Sequence, residues 1–104
     1  MQPLCWRPAA DVYRHPAGWL IKLELAGVSP AQIAVGLHGR HLWVRGRRRD
    51  VTAQQGYACH TLEIAYSAFE RVFELPVDVG DARIETRFED GMLLIGITTE
   101  PERP

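Results

Sequence analysis

Glycine and proline interrupt this chain nine and seven times in 104 residues, which leaves little room outside residues 57–75 for an amphipathic helix of three turns. What survives between the interruptions is a period of two. Trp19, Ile21, Leu23 and Leu25 fall on one parity and Leu20, Lys22 and Glu24 on the other, the pattern of a strand with one buried face. Ile33, Val35 and Leu37 repeat it. Leu42 and Val44 then alternate with His41, Trp43, Arg45 and Arg47, and His38-Gly39-Arg40 joins the two runs at hairpin length. Phe69, Phe73 and Leu75 share a parity that stops at Pro76; Ile84, Thr86 and Phe88 share another that stops at the turn signal Asp90-Gly91. Leu93, Ile95 and Ile97 form the last run. Ahead of Ile33, Ser29 can cap, Pro30 suits a first helical position and Gln32 has capping-box spacing, so one short helical turn is expected there. Arg47 to Gly56 is polar and unpatterned and reads as a loop of moderate length before Tyr57 to Glu63, with a short exposed strand inside it.

About seven or eight short strands separated by turns predict an all-β fold, an antiparallel β-sandwich of immunoglobulin-like size. The length allows one domain, large enough to bury a core without a disulfide or metal staple. Cys5 and Cys59 are too few for a disulfide framework and lack metal-type spacing, so both are expected as reduced thiols behaving as small hydrophobes. Twelve Lys and Arg against thirteen Asp and Glu leave a formal charge of −1, which gives no bulk attraction to nucleic acid or anionic lipid. No apolar run reaches the roughly 18 residues of a membrane helix, and Met1 to Ala10 lacks the apolar block of a signal peptide, so a cytoplasmic address is expected.

Particular stretches are more specific than their periodicity. Ala10-Asp11-Val12-Tyr13 reads as the opening strand, Leu25-Ala26-Gly27-Val28 precedes the capped turn, and Leu42-Trp43-Val44-Arg45-Gly46-Arg47 is a strand ending in Gly-x-Arg. Tyr66-Ser67-Ala68-Phe69-Glu70-Arg71-Val72-Phe73-Glu74-Leu75-Pro76 and Asp90-Gly91-Met92-Leu93 follow in order. Together these stretches resemble the α-crystallin domain of small heat-shock proteins, over residues 10–97, with a short N-terminal segment at 1–9 and a short polar tail at 98–104. The departures are Ala26 for the family's usual Pro, Ser67 for Gly, Thr86 for Ala and Met92 for Val. Thr98 to Pro104 holds no aliphatic pair of the Ile-x-Ile type and few residues precede Ala10, so large-oligomer assembly by the family's usual route is not expected.

The resemblance implies an ATP-independent chaperone that holds exposed apolar segments of unfolding client proteins, with no cofactor. It implies a client- or tail-binding groove at Val35 and Leu37 on one side and Ile84, Thr86 and Phe88 on the other. It further implies a homodimer formed by strand exchange, or a mixed assembly with other small heat-shock proteins. Tyr57, Ala58, Cys59 and His60 are the expected exchanged strand, and Arg71 is expected near the dimer interface. Because Arg71 shares parity with apolar residues, a carboxylate partner is expected for it. Alternative readings are an assembly modulator of longer relatives, a CS-type co-chaperone module, and a single-stranded nucleic-acid binder using Arg40, Arg45, Arg47, Arg48 and Arg49 around Trp43. The last is disfavoured by the balanced charge. His38, His41 and the adjacent Cys59-His60 reproduce no zinc signature, and Ser29 and Ser67 sit in no nucleophile motif, so no metal site and no enzyme are expected.

Overall fold

The apolar runs become strands in the computed structural model, which describes residues 6–99. In chain order the elements are β1 (Ala10–His15), β2 (Gly18–Glu24), a 3-10 turn (Pro30–Gln32), β3 (Ile33–His38), β4 (His41–Arg47), α1 (Val51–Gln54), β5 (Ala68–Glu74), β6 (Arg83–Glu89) and β7 (Met92–Thr98). Four strands make one antiparallel sheet in the order β1-β2-β7-β6, and three make the other in the order β3-β4-β5. The two sheets close on Ile21, Leu23 and Leu25 of the β2 parity, Leu42 and Val44 of β4, Phe69 and Phe73 of β5, and Leu93, Ile95 and Ile97 of β7, all buried. Alternation is therefore the cause of the sandwich: one parity of each central strand supplies the shared core and the other faces water.

The turns follow their local chemistry. Ser29 Oγ accepts from the Ala31 N–H at 3.4 Å and the Ser29 carbonyl accepts from Gln32 at 2.8 Å, which starts the expected turn. Asp90 and Gly91 both have positive φ, 54° and 76°, and join β6 to β7 with Glu89 opposite Met92, as a tight hairpin between right-twisted strands requires. The β3–β4 connection is tighter than the expected three residues: His38 pairs with His41, leaving only Gly39-Arg40 in the turn. Inside the polar segment Asp50 Oδ1 accepts from the Thr52 N–H at 3.1 Å, and this cap starts the unanticipated single turn of α1.

Packing begins before β1. The Trp6 N–H donates to the Ala68 carbonyl at 3.2 Å and to Ser67 Oγ at 3.1 Å, and its ring meets Phe69 edge-on, 5.4 Å between centroids. At the other end the Thr99 N–H donates to the Ala17 carbonyl at 2.9 Å. Cys5 and the last five residues of the expected tail lie outside the described residues. Among the described residues no helix is long and apolar enough to cross a membrane.

Candidate functional site

β3 and β6 are edge strands of different sheets, so their inner parities overhang the core without a further strand to cover them. Val35, Leu37, Ile84 and Phe88 are consequently half-buried against the core, and Thr86 is exposed. Between the two edges lies a groove of about 230 Å³ lined by Val35, Thr86 and Phe88 together with Pro30, Ile33, Arg87 and Leu93. Three of the five expected groove residues thus meet; Leu37 and Ile84 pack on the rim of the core but do not line this cavity. The residues not singled out have simple origins. Ile33 continues the Val35 parity, Pro30 is brought in by the 3-10 turn, and Leu93 sits beside Phe88 in the β6–β7 register. Among the described residues of the lining, Arg87 is the only charged one.

The second candidate surface is the excursion between β4 and β5. Its neck is closed: the Arg48 N–H donates to the Ser67 carbonyl at 3.1 Å. The Arg48 guanidinium bridges three parts of the chain, donating from Nε to the Ala65 carbonyl at 2.8 Å and from Nη1 to the Ala26 carbonyl at 3.1 Å, while lying 3.7 Å from the Trp6 ring centroid. Beyond this clasp the loop is open to solvent, with Tyr57 67%, Leu62 62% and Ile64 55% exposed. The expected exchanged stretch, Tyr57 to His60, is exposed and carries no strand in the single chain. The expected short strand inside the loop is therefore corrected for the isolated subunit, because a strand needs an edge to pair with and the loop meets none within its own fold. Cys59 is a free thiol, as expected, but an exposed one that packs with no core as a small hydrophobe would, since its stretch contributes nothing to the core. One open edge is available on β1, whose Val12 and Tyr13 are exposed.

Arg71 keeps the inner parity of β5 but finds a different partner from the expected carboxylate. Its Nη1 donates to the Pro8 carbonyl at 2.6 Å, and the guanidinium lies 4.8 Å from the Phe73 ring centroid. Desolvation, reinforced by the charge of Arg7, holds its pKa below the ordinary arginine value, and the group still stays charged in water near neutrality. The acids flanking it are paired elsewhere, Glu70 with Arg45 and Glu74 with Arg40, each at 3.0 Å. Those pairs, the stacking of Arg45 on Trp43 at 4.4 Å and the Arg48 clasp engage three of the five clustered arginines within the chain. Among the described residues no three His, Cys, Asp or Glu side chains are grouped to hold a metal ion.

The model of the Hsp20/alpha crystallin family matches residues 11–104. The small heat shock protein C2 of Rickettsia felis is 28% identical over 90 residues, covering 86% of this chain and 58% of its own length. Spore protein SP21 of Stigmatella aurantiaca is 26% identical over 100 residues, covering 96% and 59%. The chain therefore spans less than two thirds of the length of these curated relatives. Among solved structures, a small heat-shock protein from Xylella fastidiosa, described as having a distinct high order structure, superposes with a TM-score of 0.76 at 26% identity over 97% of this chain and 93% of that one. HspA from Xanthomonas axonopodis does so with 0.74 at 26% identity over 91% and 95%.

Proposed function

This chain belongs to the Hsp20/alpha crystallin family, and from that premise we propose that it is a cytoplasmic, ATP-independent holdase that binds exposed apolar segments of unfolding proteins. The observation that carries the reading is the groove between β3 and β6, where Pro30, Ile33, Val35, Phe88 and Leu93 line a trough beside Thr86 and Arg87, left open at the junction of two sheet edges. Burying two aliphatic side chains there is worth roughly 1.5 to 3 kcal/mol each before ordering costs. The gross gain corresponds to dissociation constants from about millimolar to tens of micromolar. Contacts of that strength release readily, and several acting together retain a client.

The test is the aggregation of a heat-labile enzyme with and without this protein, lacking nucleotide. Suppression is expected. Thr86→Asp places a carboxylate beside the aliphatic and aromatic members of the lining at an exposed position, so the fold tolerates it, and a client contact worth about 1.5 kcal/mol is lost. The protein concentration giving half-suppression should rise roughly tenfold. No suppression by the unaltered protein, together with a changed assembly of a longer relative, would assign it the modulator role instead.

The dimer is proposed to form through the clasped loop, with Tyr57 to His60 pairing along the partner's open β1 edge. Support comes from the exposed apolar residues of the loop and from an edge that invites a strand. Replacing residues 50–64 by a short glycine-serine linker, which leaves the Arg48–Ser67 neck intact, should give a monomer by light scattering. A dimer of unchanged mass would refute the exchange.

A further inference from the structure

Gly96 stands inside β7, where a glycine weakens a strand. The fold does not require it. Its φ is not positive, and a Cβ there would meet only the Glu85 carbonyl oxygen, at an ordinary 3.9 Å. The missing side chain instead leaves a hollow of about 390 Å³ on the outer face of the four-stranded sheet, lined by Leu20, Glu85, Thr86, Arg87, Leu94 and Gly96. Thr86 and Arg87 also border the β3–β6 groove, because β6 is an edge strand, but the floor of the hollow is the opposite side of the sheet. Register sets this outer face in two rows. Leu20, Gly96 and Glu85 are paired across β2, β7 and β6, and Lys22, Leu94 and Arg87 form the neighbouring row on the same side. Ile21 and Ile95 take the other parity and are fully buried. Half-buried Leu94 is thus a knob, two residues and about 7 Å along the strand from a hole.

We propose that this outer face of β2, β7 and β6 is a self-complementary docking surface for a second copy of the chain. A two-fold axis lying between two such faces, perpendicular to the strands and midway between the rows, sets each row on the other row of the second copy. Leu94 of the second copy then enters the hollow over Gly96, and the reverse contact follows by symmetry. Glu85 meets Arg87 of the second copy, again twice, and the aliphatic stem of Lys22 lies on Leu20. The charges are available for this. Glu85 enters no ion pair among the described residues, and the contact of Arg87 with Glu89 is long, 3.8 Å, and exposed, so it yields readily. The surface uses neither the floor of the β3–β6 groove nor the loop between β4 and β5. Three strands about 4.8 Å apart offer less than a standard interface, so the contact is weak and adds copies only as concentration rises.

Light scattering of the full chain over a range of concentrations reads the association, and the mass of the unaltered protein should rise with concentration. Gly96→Val fills the hollow with a side chain suited to a strand, so it should weaken the association about tenfold or more while the melting temperature holds or rises. Leu94→Thr removes the knob and should act alike. Glu85→Arg and Arg87→Glu should each weaken the association about tenfold, since like charges then meet twice. An equimolar mixture of those two variants should regain it, because every contact between them joins opposite charges, a rescue that general stickiness of the face cannot produce. Gly96 and Leu94 do not line the β3–β6 groove, so suppression of client aggregation should be unchanged in Gly96→Val, which separates failure of this surface from failure of the groove. A mass independent of concentration overturns the proposal, as does unchanged association in Gly96→Val or Leu94→Thr, or a mixture that behaves as its separate components do. A melting temperature lowered by several degrees in Gly96→Val would show that the fold itself needs the glycine, and overturns it too.

Discussion

Phe69→Ala is expected to lower the stability of the fold by about 3 to 5 kcal/mol, the range for deleting a buried aromatic ring. Phe69 is 2% exposed and lies within the core cluster. Its ring also receives the edge-on contact from Trp6, 5.4 Å between centroids at 73°, so the loss reaches the segment that precedes β1. Small domains have roughly 5 to 15 kcal/mol in total, and the melting temperature should fall on the order of 15 °C or more. Calorimetry or circular dichroism measures it. A fall of only a few degrees would mean that the ring is not a central element of the sandwich.

The same ring explains a glycine on the neighbouring strand. Gly46 is paired with Phe69, and a Cβ there would stand 2.7 Å from two ring carbons and 2.9 Å from the Gln32 carbonyl oxygen. Gly46→Ala therefore overpacks the site, at a cost of about 1 to 3 kcal/mol. In the Phe69→Ala background the ring contacts vanish and only the carbonyl conflict remains, so the alanine penalty at Gly46 should shrink by roughly 0.5 kcal/mol or more. Strictly additive costs would show that the two positions do not share the space described.

These couplings mark the limit of what the chain discloses before it is folded. The parity of Ile21, Leu23, Leu42, Val44, Ile95 and Ile97 is a local property, and each of these residues is buried as its parity requires. The turn at Asp90-Gly91 was legible for the same reason, since positive φ is a demand of the turn on two adjacent residues. The groove was only partly legible. Val35, Thr86 and Phe88 follow from strand parity and the family resemblance, but Pro30 and Arg87 join them only because β3 and β6 are the edges that meet, a fact of sheet order that no local pattern encodes. The clasp made by Arg48 was hidden more deeply. Its partners Trp6, Ala26 and Ala65 are scattered over most of the chain, and two of them act through backbone carbonyls, which carry no residue signature. The exposed state of Cys59 has no local signature, because a lone cysteine between an alanine and a histidine is compatible with core or surface alike.

Arg71 is the position where the local rule and the structure part most clearly, and the difference is measurable. Parity required a partner for the charge, and a carboxylate is the commonest; the structure supplies the Pro8 carbonyl at 2.6 Å, 63 residues away in sequence, and the face of Phe73. Arg71→Gly removes a charged hydrogen bond to the carbonyl of a buried proline, worth about 1.5 to 3 kcal/mol. It also places glycine in a strand, at a further cost of roughly 0.5 to 1 kcal/mol. A loss of about 2 to 4 kcal/mol is expected, with the segment around Pro8 released from β5. Arg71→Met keeps an unbranched stem over Phe73 and preserves strand propensity, so it should lose distinctly less. If a carboxylate were the real partner, Glu70→Gln or Glu74→Gln would reproduce the Arg71 defect. Because those acids pair with Arg45 and Arg40 at exposed positions, each should change stability by no more than about 1 kcal/mol. Melting curves of the four variants decide between the two accounts, and faster hydrogen exchange of the Glu24 amide in Arg71→Gly alone would report the loosened segment, since Glu24 donates to the Ala9 carbonyl at 3.0 Å. An Arg71→Gly melt equal to that of the unaltered protein would show that the guanidinium turns to solvent and that Pro8 is held by packing alone.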